Sequence, residues 1–139
     1  PAQKSDQLDS FAKAVFYYTT DCQSPKTYYR SVSQLINDCD AGDICADGRT
    51  SCEALESTLA GLMNNSFYVA DGSFTRYYRL EIVKGEDNLQ NIIDIKSEGF
   101  DSYSGKCSGS EIFNDVPVST GISSSVAMKI RVCYNVIKG

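Results

Sequence analysis

The sequence has no histidine and no tryptophan. Without an imidazole base, the common hydrolytic arrangements in which histidine activates a serine or cysteine are excluded. The same absence, with no C-x-x-C pair among the cysteines, removes the usual donor sets for zinc. No apolar run approaches the roughly 18 residues a membrane-spanning helix needs, so the residues present are not expected to insert directly into a membrane. There is no internal repeat and no interdomain linker. The first residue is Pro1 and not methionine, which suggests a processed or truncated product.

Positive charge is also scarce. Against 18 acidic residues stand 13 lysines and arginines, a net charge of -5. That balance argues against nucleic acid or an anionic membrane as the main partner. With 42% hydrophobic and 22% charged residues, the chain reads as one folded domain spanning 1–139, large enough to bury a core.

What is present begins with six cysteines, Cys22, Cys39, Cys45, Cys52, Cys107 and Cys133, even in number and irregular in spacing. They point to disulfides formed in an oxidising compartment, extracellular or at the cell surface. Spacing alone does not choose the pairing.

The pattern divides into a helical part, about 5–64, and a sheet part, about 66–137. Ser5 or Asp6 can cap a helix to about Tyr18 with Leu8, Phe11, Ala12, Val15 and Tyr18 on one stripe. Pro25 breaks it, and a second helix is expected from about Lys26 to Asn37. A loop from Asp38 to Ser51 leads to a third, capped by Ser51 and running to about Asn64 with Cys52, Leu55, Leu59 and Leu62 on its buried stripe. The partner of Cys52 is expected in that loop or on a neighbouring helix. From Ser66 the period falls to two. Asp71-Gly72 predicts a hairpin that places Val69 opposite Phe74 and Phe67 opposite Arg76. Its longer strand should turn Phe74, Tyr78, Leu80 and Ile82 to the core and Tyr77, Arg79 and Glu81 outward. A short strand is expected over Asn91–Lys96, then a long loop over Glu98–Thr120. The run Ser124–Ile137 alternates Val126, Met128, Ile130, Val132, Tyr134 and Val136 with Lys129, Arg131 and Cys133, which reads as a long strand with one face on the core. Cys133 then lies on the outer face, where a bond to Cys107 would staple the long loop across the sheet. The fold class is α+β: N-terminal helices on an antiparallel sheet of about four strands, secured by disulfides.

Four kinds of candidate site follow. Asp38, Asp40, Asp43 and Asp47 are dense enough to suggest oxygen ligands for calcium, but the frame Asp43-x-Cys45-x-Asp47-Gly48 matches an EF-hand start poorly, since Ala54 stands where the bidentate glutamate belongs. Nothing sets two carboxylates in different environments, as acid-base catalysis requires; the chain is not expected to be an enzyme. Asn64-Asn65-Ser66 is an N-glycosylation sequon at Asn64. There are nine tyrosines, several in doublets. Tyr68 and Tyr77, on the non-core face of the expected hairpin, could anchor protein or glycan contacts or pack beneath the long loop.

The helix Leu8–Tyr18, the helix Cys52–Met63 feeding Tyr77–Val83, and the closing run V-P-V-S-T-G-I-S-S-S-V-A-M-K-I-R-V-C at Val116–Cys133 together resemble small archaeal surface proteins with a pilin-like organisation. The resemblance is one of pattern across most of the chain. It implies a secreted or cell-surface structural and interaction protein, a pilin-like subunit or the ectodomain of a membrane-anchored protein, with protein partners or self-association into a filament or surface assembly. The alternative from the residues themselves is an extracellular binding module for glycan, peptide or calcium.

Overall fold

A computed structural model describes residues 2–24, 28–69, 74–98, 100, 106–107, 109–118 and 125–135. In chain order these form β1 (Ala2–Lys4), α1 (Asp6–Phe16), β2 (Thr19–Gln23), β3 (Tyr29–Ser31), α2 (Val32–Ala41), α3 (Ser51–Ser66), β4 (Thr75–Lys84), β5 (Gln90–Lys96), β6 (Ser110–Val118) and β7 (Val126–Tyr134). The fold is α+β. Its main sheet has five strands in the order β1-β6-β7-β4-β5, one more than expected, and β2 and β3 form a separate two-stranded ribbon. All neighbours in the main sheet are antiparallel except β1, which runs parallel to β6.

Local chemistry explains where the helices begin. The Ser5 hydroxyl accepts the amide of Leu8, capping α1. At α2 the cap is reciprocal: Ser31 Oγ accepts the Gln34 amide, and Gln34 Oε1 accepts the Ser31 amide. This capping box starts α2 at Val32 and not at the expected Lys26; the three residues before it pair as β3. Gly42, with φ +79°, ends the helix in the left-handed conformation that glycine adopts without a Cβ penalty. α3 is capped by the hydroxyl of Thr50, one residue before the expected Ser51.

One face of the sheet is the core. Cross-strand pairs Leu80–Ile130 and Ile82–Met128 continue to Ile95 and Ile93 on β5 and to Val116 on β6, and this layer meets Leu8, Ala12 and Val15 of α1, Leu35 and Ile36 of α2, and Leu55, Leu59 and Met63 of α3. The expected core face of β4 is observed at Tyr78, Leu80 and Ile82, whereas Phe74 is 73% exposed. Phe74 lies just before β4, outside the paired region that alternation governs.

The other face is polar and partly covered. Tyr77 and Cys133, adjacent in register, form a small cluster with Phe100 and Cys107. The Phe100 ring meets Tyr77 edge-on at 5.0 Å and receives the guanidinium of Arg79 and the ammonium of Lys96, each 5.5 Å from its centroid. The Cys107–Cys133 disulfide ties this cover to β7, as face assignment had suggested. Tyr77 is therefore fully buried and not an exposed contact residue. Its phenol is pushed above the ordinary tyrosine range, first by burial and then by the nearby Glu111 carboxylate.

Three further expectations are corrected. The expected strand from Ser66 begins inside α3, which ends at Ser66: Phe67 caps the helix through its amide to the Met63 carbonyl, and its ring packs edge-on against Phe11 at 5.3 Å. Val69 bridges to Thr75 and not to Phe74, and the Asp71-Gly72 turn lies outside the described residues. The stretch read as one long loop contains β6, paired along its whole length with β7. Finally, β7 spans nine residues, shorter than the run Ser124–Ile137; residues 124, 136 and 137 lie outside the described residues.

Candidate interaction site on the tyrosine-flanked ribbon

The ribbon is small, yet it is held from several directions. Thr20 and Cys22 alternate inward along β2, and the Thr20 hydroxyl donates to the Arg30 carbonyl at 2.7 Å while accepting the Cys22 amide at 3.2 Å. Cys22 is bonded to Cys45, and the Ala46 amide donates to the Gln23 carbonyl beside it, so the loop after α2 is fastened to the ribbon by a covalent and a polar contact. Cys39 of α2 is bonded to Cys52 of α3; the partner of Cys52 thus comes from a neighbouring helix. Arg30 on β3 forks onto the buried carboxylate of Asp38 on α2. Arg49 joins Asp21 on β2 at 2.9 Å to Asp47 in its own loop at 2.8 Å. The Asp47 carboxyl is held below its ordinary range, chiefly by the backbone amide of Arg49.

From this scaffold project four tyrosines. Tyr17 and Tyr18 follow α1, Tyr28 precedes the second strand of the ribbon and Tyr29 begins it; they are 82%, 48%, 69% and 57% exposed. Tyr17, Tyr18 and Tyr28 thus flank the two strands in the chain; four large aromatic side chains left in water around so short a ribbon are more than folding alone asks for, because burying each would have contributed favourably. Tyr18 and Tyr29 also line an open groove of about 430 Å³ between the ribbon and α3, together with Thr19, Asp21, Thr58 and Asn65.

A second concavity, of about 340 Å³, lies on the outer face of the sheet, lined by Arg79, Glu81, Glu111, Lys129 and Arg131 among others. Both of its arginines are already partnered. Arg79 donates to both oxygens of Asp94 at 2.9 and 2.8 Å and approaches Glu81 at 3.4 Å, and Arg131 meets Glu111 at 3.0 Å. The Asp94 carboxyl is lowered by the Arg79 hydrogen bonds before any other cause. These contacts act as cross-strand clamps.

The aspartates named as metal ligands do not converge. Asp38 is consumed by Arg30, Asp40 by Lys84 and Asp47 by Arg49, while Asp43 accepts the Ser51 amide with its backbone carbonyl. Among the described residues no three carboxylates or cysteines are grouped to hold a metal ion. Asn64 is exposed in the last turn of α3, next to the groove residue Asn65. Tyr68 is 62% exposed but lies past the C-terminus of α3, apart from the ribbon tyrosines in sequence. The ribbon site itself was missed, although the doublets Tyr17-Tyr18 and Tyr28-Tyr29 flanking Thr19-Thr20 carried its signal.

Among the described residues, no helix is long and apolar enough to cross a membrane. Three disulfides suit an oxidising environment. The sequence matches no protein-family model, no curated protein and no solved structure.

Proposed function

We infer that this chain is a secreted or cell-surface interaction protein, pilin-like or the exposed part of a membrane-anchored protein, that works by recognition and not by catalysis. The observation carrying this reading is the set of four exposed tyrosines on and flanking a ribbon fixed by the Cys22–Cys45 disulfide and the Arg30–Asp38 pair. Tyrosine supplies large contact area with few rotatable bonds, and a rigid support lowers the ordering cost of association. The test is retention of the oxidised chain on the isolated envelope fraction of the cells that make it. Wild type should be retained, and a variant with Tyr17, Tyr18, Tyr28 and Tyr29 all replaced by serine should not. Equal retention of the two would overturn the reading.

Self-association is a second reading with its own support. β5 stands at the end of the main sheet, and at the opposite edge β1 covers only three residues of β6. Such edges accept further strands, although Asp94 and Lys96 place charge along β5. Sedimentation velocity at rising concentration checks it: a monomer throughout removes this reading.

A further inference from the structure

The geometry points to the groove between the ribbon and α3 as a binding site for a neutral carbohydrate chain. The inference rests on the ribbon being the interaction face and adds the chemistry of its ligand.

The floor and walls of the groove set that chemistry. On the α3 side stand Ser57, Thr58, Gly61, Leu62 and Asn65; on the ribbon side stand Tyr18, Thr19 and Tyr29. Hydroxyls and a primary amide can each donate and accept, which matches a ligand whose own groups are hydroxyls. The two tyrosines add aromatic faces of negative quadrupole, to which the weakly positive C–H faces of a pyranose ring are attracted. Asp21 is the charged residue of the lining, and its carboxylate already pairs with Arg49. Among the described residues the lining carries no cation, which favours a neutral ligand over an acidic peptide, a phosphate or a uronate.

Shape agrees with this. At about 430 Å³ the groove falls within the roughly 300–1,000 Å³ of small-ligand clefts. It is open to solvent, so a ligand can enter without any part of the protein moving. Gly61 lines it, and a Cβ built there meets nothing within 4 Å. Since glycine disfavours a helix interior by about 1 kcal/mol relative to alanine, its presence facing open space on α3 keeps the groove clear at a cost in stability. The Cys22–Cys45 and Cys39–Cys52 bonds hold ribbon and helix in place before any ligand arrives.

The test is NMR titration of the oxidised full chain with cellohexaose and α-mannohexaose as neutral probes and hexagalacturonate as the acidic control. At least one neutral hexamer should shift the amides of Tyr18, Tyr29, Gly61 and Asn65 saturably. The uronate should bind at least about tenfold more weakly, a difference of about 1.4 kcal/mol. Gly61→Gln, which projects into the open groove without displacing core atoms, should not lower the thermal midpoint and should reduce affinity about tenfold or more. Tyr29→Ala should act in the same direction. The proposal is overturned if neither neutral hexamer binds, if the uronate binds as tightly, or if binding survives Gly61→Gln. Envelope retention that depends on the tyrosines while no hexamer binds would leave the interaction reading standing and assign the face to a protein partner.

Discussion

Arg30 and Asp38 join the ribbon to α2 by two parallel hydrogen bonds, Nε to Oδ2 at 2.8 Å and Nη2 to Oδ1 at 3.2 Å. The Asp38 side chain is only 7% exposed, so the pair is a partly buried fork and not a surface contact. Lysine has no fork and cannot reproduce both bonds.

Removing one partner should therefore cost far more than removing both. Arg30→Met leaves a carboxylate buried without its cation and should destabilise by about 3 kcal/mol. Arg30→Met with Asp38→Leu should recover most of that loss, because two apolar groups need no partners. Urea unfolding of the two variants checks this. A double variant no better than the single one would mean that the pair contributes through packing.

The disulfide between Cys107 and Cys133 lies over the outer face, and the helical core lies on the other. Replacing both cysteines by alanine should lose about 3 kcal/mol through relaxed loop closure. Hydrogen exchange should show where the loss falls. The amides around Phe100 and Cys107 should lose protection, while those of Leu80, Ile82 and Ile130 retain it until global unfolding. Uniform loss across β4 and β7 would show that the cover and the core unfold as one unit.

These two contacts also show how far the sequence could be read. The outer position of Cys133 followed from alternation along β7, and its pairing with Cys107 from the need to tie down the long stretch that crosses that face. β6 did not, for three physical reasons. Asn114 occupies a core-facing position in the middle of the strand, and its amide donates to the Ser5 carbonyl at 2.6 Å, so a polar residue stands where the pattern demands an apolar one. Pro117 looks like a strand breaker, yet β1 pairs only as far as Phe113, so the proline has a strand neighbour on one side only. Ser110 at its start continues the glycine- and serine-rich stretch before it. The ribbon was illegible for another reason: strands of five and three residues have too few positions to establish a period, and tertiary clamps at Cys22 and Arg30 hold what propensity alone would not. Period two places Tyr77 on the outward face, where the expectation that it packs beneath the Glu98–Thr120 stretch is met by Phe100 and Cys107 and the expectation of an exposed contact is not.

Two glycines make a paired prediction. Gly85 has φ +103° at the turn between β4 and β5, and a Cβ there would lie 2.5 Å from the Asn88 carbonyl oxygen. Gly85→Ala should cost about 2 kcal/mol, combining backbone strain with a contact that must move. Gly61 sits on α3 facing open space, so Gly61→Ala should raise stability by up to about 1 kcal/mol. Thermal unfolding of both variants reads the opposite signs directly. A destabilising Gly61→Ala would mean that the groove is narrower than described.

The Arg79–Asp94 clamp predicts a pH dependence with a definite sign. Hydrogen bonds from Arg79 hold the Asp94 carboxyl below its ordinary range in the folded chain. In the unfolded chain the group returns to about 3.9. Between the two values the unfolded state binds more protons, so stability rises with pH across that interval. The contribution is complete above the unfolded value and disappears as pH falls through the folded one. Asp94→Asn keeps the shape but removes the titration. At neutral pH the variant should be less stable by no more than about 1 kcal/mol, since the side chains of Arg79 and Asp94 are 26% and 28% exposed. As the pH is lowered below 4, the two stability curves should converge. Guanidinium unfolding at a series of pH values gives the comparison. A gap that stays constant into acid would place the effect of Asp94 in strand packing and not in its charge.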